Sequence, residues 1–169
     1  MKKTLLTLIA VVMFGGIASS QISLGGRFYE GISWGAEVSL HYDMSQSNRI
    51  EADFGYNNGV VTKHYPNTNV TYLNDYYVAT ATGAYHWMFN IVKGFGWFVG
   101  PAAQLGIGSD HDNDLYARLA LGAQGGVEYK FDFPLQVSLD VRPMVDLFHL
   151  ADPHGLFHFG VAAGVRYRF

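Results

Sequence analysis

The chain has no cysteine, and only 15% of its 169 residues are charged. The missing cysteines exclude disulfide frameworks, thiol nucleophiles, zinc–thiolate sites and lipidated cysteine anchors. The charged fraction is about a quarter in ordinary domains, so this one is too small for the surface of a soluble protein. Intrinsic disorder is also excluded, because apolar residues make up 49% of the chain.

The chain also lacks an apolar run of the roughly 20 residues that a membrane-spanning helix needs. Its longest run, residues 5–14, follows Lys2 and Lys3 and precedes a stretch rich in Gly, Ala and Ser. This order is typical of a secretory signal peptide, which we place at residues 1–20. The predicted mature protein is a single domain, residues 21–169. Without the two lysines, nine basic residues face 14 acidic ones, so no nucleic-acid partner is expected.

From residue 21 onward, apolar and polar residues alternate without a sustained helical period, which predicts strands. The alternation is clearest over residues 156–169, where every second residue from Phe157 to Phe169 is apolar. Pro101 and Pro143 fall inside predicted strands and predict a bulge, a sheet edge or a membrane exit at each. The predicted strands lie near residues 22–29, 34–43, 49–58, 75–89, 95–108, 116–131, 135–147 and 156–169.

The connections between these strands alternate in length. Residues 44–48, 90–94 and 132–134 are short turns, whereas 59–74, 109–114 and 149–155 are longer loops; the first connection, 30–33, is an exception. Short turns on the side of both termini and longer loops opposite are typical of membrane barrels. We therefore predict an all-β fold, an eight-stranded antiparallel up-and-down transmembrane β-barrel.

The two faces of the strands identify the outside of this barrel. The alternation of apolar and polar residues alone also fits a soluble, lipocalin-like barrel with its apolar face inward. On the apolar face, however, rings concentrate at strand ends and aliphatic residues fill the middles, as in a membrane-interface girdle. The polar face carries seven acids and seven bases, which predicts a charge-paired, filled lumen. They are Glu37, Asp43, Glu51, Asp53, Glu128, Asp140, Asp146, Arg27, Arg49, Arg118, Lys130, Arg142, Arg166 and Arg168.

These features together resemble a known family. The leader, the alternating strands and the ending Val165-Arg166-Tyr167-Arg168-Phe169 resemble the small eight-stranded outer-membrane β-barrels of Gram-negative bacteria, a porin-like group that includes OmpX and the membrane domain of OmpA. The resemblance implies an outer-membrane location. It also implies that the terminal aromatic residue is read by the barrel-assembly machinery. It carries no catalytic residues to this chain.

Few residues suggest chemistry. Residues 110–114 place oxygen ligands at alternate positions as an EF-hand does, but the sixth position is not glycine and the twelfth is Leu121. Ser39 and His41 share the polar face, where lipid cannot reach, and His86 is predicted inward. His149, Asp152, His154 and His158 are close enough in sequence to suggest a transition-metal site. Chance clustering explains them better, so we predict no catalytic, cofactor or metal site and no enzymatic activity.

The sequence thus favours a barrel with a plugged, charged interior and a structural or surface-interaction role through its extracellular loops. A small passive pore is the alternative, and a lipid-modifying outer-membrane enzyme is a third. The expected partners are outer-membrane lipid and lipopolysaccharide, and the protein is expected to be a monomer. The loop side is acidic, so divalent cations could bridge its carboxylates to lipopolysaccharide phosphates. Its charges are Glu30, Asp75, Asp110, Asp112, Asp114 and Asp152 against Lys63.

Overall fold

A computed structural model describes residues 21–30, 34–64, 71–110, 115–150 and 157–169, of which 59–64, 71–76, 110, 115–116 and 148–150 are described by their backbone. This part of the chain forms eight strands. They are β1 (Ile22–Glu30), β2 (Trp34–Asp43), β3 (Asn48–His64), β4 (Thr71–Val92), β5 (Phe95–Asp110), β6 (Leu115–Lys130), β7 (Leu135–Leu150) and β8 (Phe157–Arg168). The predicted signal peptide lies outside the described residues.

The eight strands form one closed barrel in sequence order, with every neighbour antiparallel. The barrel closes where β1 pairs with β8, from Ser23 opposite Arg168 to Glu30 opposite Val161. The predicted fold class is therefore confirmed. No helix in the described parts of the chain is long and apolar enough to span a bilayer.

Several strands run further than predicted on the side of the long connections, which we call the loop side. Residues 59–74 were expected to form a loop, but β3 continues to His64 and pairs there with Thr71 of β4. The extension contains Val60, Val61 and Thr62, whose branched side chains favour extended backbone. Similarly, β5 continues to Asp110 and β7 to Leu150.

Neither internal proline causes a bulge or lies at a sheet edge, so that part of the prediction is wrong. Pro101 is paired with β6 and Pro143 with β8. Register shifts among the paired residues occur elsewhere, near Asn90 between β4 and β5 and near Leu119 between β6 and β7. Each proline keeps a paired residue on one neighbouring strand. On the other neighbouring strand, the pairing stops at the proline and resumes in the same register. The missing N–H group therefore interrupts the pairing only locally.

The apolar face points outward, as the membrane prediction requires and contrary to a lipocalin-like barrel. Aliphatic side chains such as Val38, Leu105 and Leu139 are exposed in the middle of the strands. Aromatic rings flank them, and Phe89 stacks on Trp97 with ring centroids 4.3 Å apart near the short turns. Large apolar residues would not be stable in water over so much surface, so this belt matches a lipid environment.

The turn between β4 and β5 depends on Gly94, which has φ of 80°. A side chain would be strained in this left-handed conformation. A Cβ atom would also lie only 2.6 Å from the carbonyl oxygen of Lys130. In addition, the Lys130 amide donates to the Gly94 carbonyl at 2.7 Å. Glycine therefore lets this turn pack against the end of β6.

Replacing Val161 by Arg should lower the free energy of unfolding by about 2–4 kcal/mol if this outward side chain lies near the bilayer midplane. Reversible folding into lipid vesicles measures the change. Gln46→Arg is the matched control, because Gln46 is exposed in the short turn between β2 and β3 and should tolerate the charge. Equal losses in both variants would contradict a lipid-facing position for Val161.

Candidate functional site

The barrel interior contains the densest group of polar side chains in the described structure, and we treat it as the candidate site. Inward positions on all eight strands are buried, and most are polar. Fully buried charged residues are Arg27, Glu37, Arg49, Glu51, Asp53, Glu128, Asp140, Arg142, Asp146 and Arg166. Since a buried unpaired charge is very costly, each needs a partner across or along the wall.

Glu51 lies at the centre of this network. One carboxylate oxygen is 2.8 Å from Nε2 of His41, and the other accepts a hydrogen bond from the Gln124 amide at 3.1 Å. Three more groups lie within 4 Å of the carboxylate: Arg142 at 3.4 Å, Arg166 at 3.6 Å and His86 at 3.7 Å. Glu51 thus joins polar groups from five other strands.

Two arginines form ion pairs with strands that are not their neighbours in the sheet. Arg27 donates to Glu37 on the neighbouring strand at 2.5 Å, and it also forms an ion pair with Asp140 of β7. Arg142 forms an ion pair with Asp53 of β3, across the barrel. These pairs connect residues that are far apart in sequence, so the interior fixes the relative position of distant strands.

A second ionic cluster lies near the short turns. Arg49 donates two hydrogen bonds to Glu128, at 2.6 and 3.0 Å, and a third to Asp43 at 2.6 Å. Lys130 lies 3.3 Å from both carboxylates. A guanidinium that binds one carboxylate with two parallel bonds is held in a defined orientation. This cluster therefore links β2, β3 and β6 near the turn end of the barrel.

Ser39 and His41 have different hydrogen-bond partners in the interior. The Ser39 hydroxyl accepts hydrogen bonds from Arg166 at 2.9 and 2.8 Å, whereas His41 contacts Glu51. Both residues are fully buried in the interior. His86 is inward as predicted, and its ring packs 4.6 Å from that of Phe98.

An aromatic side chain fills part of the lumen near the loop side. Tyr29 lies against Gly160, where a Cβ atom would overlap its ring. The Arg27 guanidinium is 5.8 Å from the centre of the same ring, within range of a cation–π contact. Glycine at position 160 therefore makes room for a large side chain from the neighbouring strand.

All fourteen charged residues predicted inside lie on the inner face. Ten are fully buried, six acids and four bases, and the half-buried remainder are Asp43, Arg118, Lys130 and Arg168. The buried amides of Gln104, Gln124 and Gln136 were not among the predicted interior residues. The available signal was their inward position in the strand alternation, because a buried amide needs hydrogen-bond partners. Each of them bonds to a charged group; Gln104, for example, accepts from Arg118 and donates to the Thr82 hydroxyl.

The structure describes the other candidates only in part. His158 is described, and its Nδ1 lies 3.4 Å from Asp146. His149 is described by its backbone alone, and Asp152 and His154 lie outside the described residues. So does the EF-hand-like loop, apart from the backbone of Asp110. Within the described part of the chain, no group of three or more acidic or histidine side chains is placed to hold a metal ion.

The sequence matches no known protein-family model and no curated protein. Solved structures do match. Neisserial surface protein A superposes with a TM-score of 0.64 at 13% identity, over 88% of this chain and 96% of its own. A major outer membrane protein from Thermus thermophilus gives 0.58 at 11%, over 88% and 98%. A de novo designed transmembrane β-barrel gives 0.52 at 11%, over 88% and 94%.

The chain has the fold of the small eight-stranded outer-membrane β-barrels. The resemblance inferred from its alternating strands is thus confirmed at the level of architecture. At 11–13% identity the likeness extends to the fold alone. A designed barrel shares this fold, so the architecture does not by itself imply a biological activity.

Glu51→Gln should lower the free energy of unfolding by about 3–5 kcal/mol, because it leaves two buried guanidinium groups without their shared carboxylate. Denaturant unfolding in lipid vesicles measures this loss. Asp132→Asn is the control. Asp132 forms an exposed pair with Lys93 at 2.9 Å, and its hydrogen bond raises the pKa of that lysine. Water screens this pair, so we expect little change. Comparable losses in both variants would show that Glu51 is not central to the fold.

Proposed function

We propose that the protein is an outer-membrane barrel of a Gram-negative bacterium, with a structural or surface-interaction role performed on its loop side. In this proposal the short turns and both chain termini face the periplasm. The apolar belt contacts lipid, and the lumen is plugged by its own side chains. The leader-like N-terminus supports secretion, and the fold supports membrane insertion.

The proposed surface role rests on a two-stranded ribbon that projects from the loop side. Beyond Asn58, where the pairing with β2 ends, the described part of β3 pairs with β4 alone up to His64. On the other side, β4 pairs with β5 only from Tyr76 onward. Among the described residues, the outer edge of residues 59–64 therefore has no partner strand, and its backbone groups can pair with a strand of another protein. A ribbon of this kind suits recognition at the cell surface.

A passive pore is the second candidate. An eight-stranded lumen is only wide enough to be filled by side chains. Here, the ion pair of Arg142 with Asp53 crosses it, and the pair of Arg27 with Asp140 spans part of it. A path for ions would have to break these buried contacts. The geometry therefore favours the plugged barrel over the pore.

A lipid-modifying enzyme is favoured less. Such an enzyme would need a nucleophile and a base that a lipid substrate can reach. Ser39 is bonded to Arg166 and His41 contacts Glu51, and both side chains lie inside the lumen. We therefore propose a non-enzymatic role.

The proposed partners follow from the proposed position of the barrel in the outer membrane. Lipopolysaccharide would surround the acidic loop side, with divalent cations bridging phosphates and carboxylates. During biogenesis the assembly machinery would read the C-terminal segment, which consists of β8 and the Phe169 that follows it. The Phe169 amide donates to the Ile22 carbonyl at 2.9 Å, so the proposed signal also takes part in closure. We propose a monomer.

The absence of natural cysteine allows a direct test of orientation and surface display. Thr62→Cys lies in the ribbon, and Gln46→Cys lies in a short turn on the opposite end. A membrane-impermeant maleimide applied to intact cells should label the first variant and not the second. Both should be labelled once the outer membrane is permeabilised.

Labelling of position 46 alone on intact cells would reverse the orientation. Failure to label either position before permeabilisation would remove the surface role. In each variant, a mobility difference between boiled and unboiled samples verifies that the closed barrel has formed, since such barrels resist unfolding in detergent.

The plugged lumen predicts that pure protein in planar bilayers produces no sustained conductance steps. A known porin, inserted in the same bilayer, serves as the positive control for detection. Insertion of the barrel itself is verified by recovering heat-modifiable protein from matched vesicles. Resolved steps that scale with salt concentration would favour the passive pore instead.

A further inference from the structure

The acids and bases inside the barrel are equal in number, but they do not balance in its centre. Among the described residues, ion pairs of 3.6 Å or less join four carboxylates there to three guanidinium groups. The acids are Glu37, Glu51, Asp53 and Asp140, and the bases are Arg27, Arg142 and Arg166. The cluster near the short turns contains two charges of each sign. The central cluster therefore has one negative charge in excess.

Two of the central carboxyl groups lie side by side. Glu51 and Asp53 are two residues apart on β3, so both side chains point inward. One nitrogen of Arg142, Nη2, is 3.4 Å from Glu51 and also forms the ion pair with Asp53. The two carboxyl groups are within hydrogen-bonding reach of each other. Such a hydrogen bond needs a proton on one of them, and two carboxylates this close in a buried site do not both ionise.

Of the two, Asp53 has the surroundings that better suit a neutral carboxyl group. Glu51 has polar neighbours on both oxygens, with the Gln124 amide at 3.1 Å and Nε2 of His41 at 2.8 Å. Asp53 accepts a hydrogen bond from Arg142 through Oδ2, whereas its Oδ1 is buried and has no hydrogen-bond partner among the described residues. A buried ionised oxygen without a donor is costly. A proton shared with Glu51 removes part of that cost.

The two histidines beside Glu51 do not supply the missing positive charge. Nε2 of Gln136 donates to Glu128 at 2.8 Å, and the same NH₂ group lies 3.4 Å from Nδ1 of His41. Nδ1 therefore accepts and Nε2 donates to Glu51, as in a neutral imidazole. Neither ring nitrogen of His86 has a hydrogen-bond partner among the described residues. An added proton on His86 would lack an acceptor, so the carboxyl pair is the better site.

We propose that Glu51 and Asp53 share one proton in the folded barrel. This proton replaces the fourth cation that the central cluster lacks. Above about pH 5 the carboxyl groups of an unfolded chain are ionised, so folding at such a pH takes up a proton from water. The folded state then binds one proton more than the unfolded state, and this site therefore contributes less to stability as the pH rises. The proton site lies in the interior and is separate from the proposed surface role.

Other titratable and charged groups surround this pair, so the test compares variants at each pH. The unfolded chain also contains histidines that titrate near neutral pH, and their contribution cancels in such a comparison. The surrounding groups are Arg27 of β1, Glu37 and His41 of β2, His86 of β4, Asp140 and Arg142 of β7 and Arg166 of β8, and β5 and β6 add the uncharged Phe98 and Gln124.

Asp53→Asn tests the proposal, because the amide resembles a protonated carboxyl group and has no proton to release. Denaturant unfolding of the full chain in lipid vesicles is measured between about pH 5 and 8. The unfolding constant of the parent, divided by that of the variant, should increase with pH by up to about tenfold per pH unit. Asp43→Asn is the control. Asp43 is bonded to Arg49 at 2.6 Å outside the central cluster, so its ratio should not change with pH.

Infrared spectroscopy locates the proton in the folded protein. A protonated carboxyl group has a carbonyl stretching band that carboxylates lack and that shifts in heavy water. At neutral pH, the difference spectrum between the parent and Asp53→Asn should contain this band, and that between the parent and Asp43→Asn should not. If Asp53→Asn gives no heat-modifiable barrel, the band is followed in the parent alone, where it should disappear as the pH is raised.

A parent-to-variant ratio for Asp53→Asn that is constant with pH would overturn the proposal. Absence of the carbonyl band from the folded parent at neutral pH would also overturn it. Nitrogen NMR of isotope-labelled histidine provides a third check. A doubly protonated His41 or His86 in the folded parent at neutral pH would overturn the shared proton, because the missing positive charge would then be an imidazolium.

Discussion

The pairing of β1 with β8 is the constraint on which the rest of the structure depends. A bilayer offers no hydrogen bonds to backbone N–H and C=O groups, so a sheet can span it only when it has no free edges within the hydrocarbon. Here the first and last strands meet over eight residue pairs. Closing so few strands leaves a lumen of side-chain width. The inward half of every strand must therefore fit against the others.

This fit explains why the interior is ionic. The outward face needs apolar residues for lipid, and the alternation of a strand then places the remaining polar residues inside. Charges confined there are stable when each has a partner, and some of the partners come from across the barrel. Arg142 of β7 and Asp53 of β3, for example, are 89 residues apart in sequence. Such pairs help to specify which strands lie opposite one another.

Periodicity predicted the strands and their faces because it is a local property. The outward position of Leu139 and the inward position of Arg142 follow from parity alone. The pairing inside could not be predicted in this way, since it depends on register accumulated around the whole circumference. That Glu51 lies at the centre, and that Arg166 binds serine hydroxyls, requires the closed structure. The equal number of acids and bases was visible in the sequence, but the partner of each charge was not.

Strand ends were harder to predict than strand centres, for a related reason. The alternation fades beyond Asn58, yet the backbone of β3 continues to pair with β4 because the two strands are already aligned. Pro101 and Pro143 caused the opposite error, because they predicted bulges or edges that the described sheet does not have at these positions. A proline removes a donor on one side, and a closed sheet supplies a second neighbour that keeps the strand in place.

The join between the two ends of the chain also sets an order in time. The first strand of the barrel pairs with the last, so the Phe169 amide can reach the Ile22 carbonyl only after both β1 and β8 have been made. Before the barrel closes, the outward apolar side chains and the inward charged side chains lack the surroundings that they have in the folded protein. Contacts between such distant segments form slowly because of the large loop that must close. The barrel therefore cannot close until β8 is available to pair with β1.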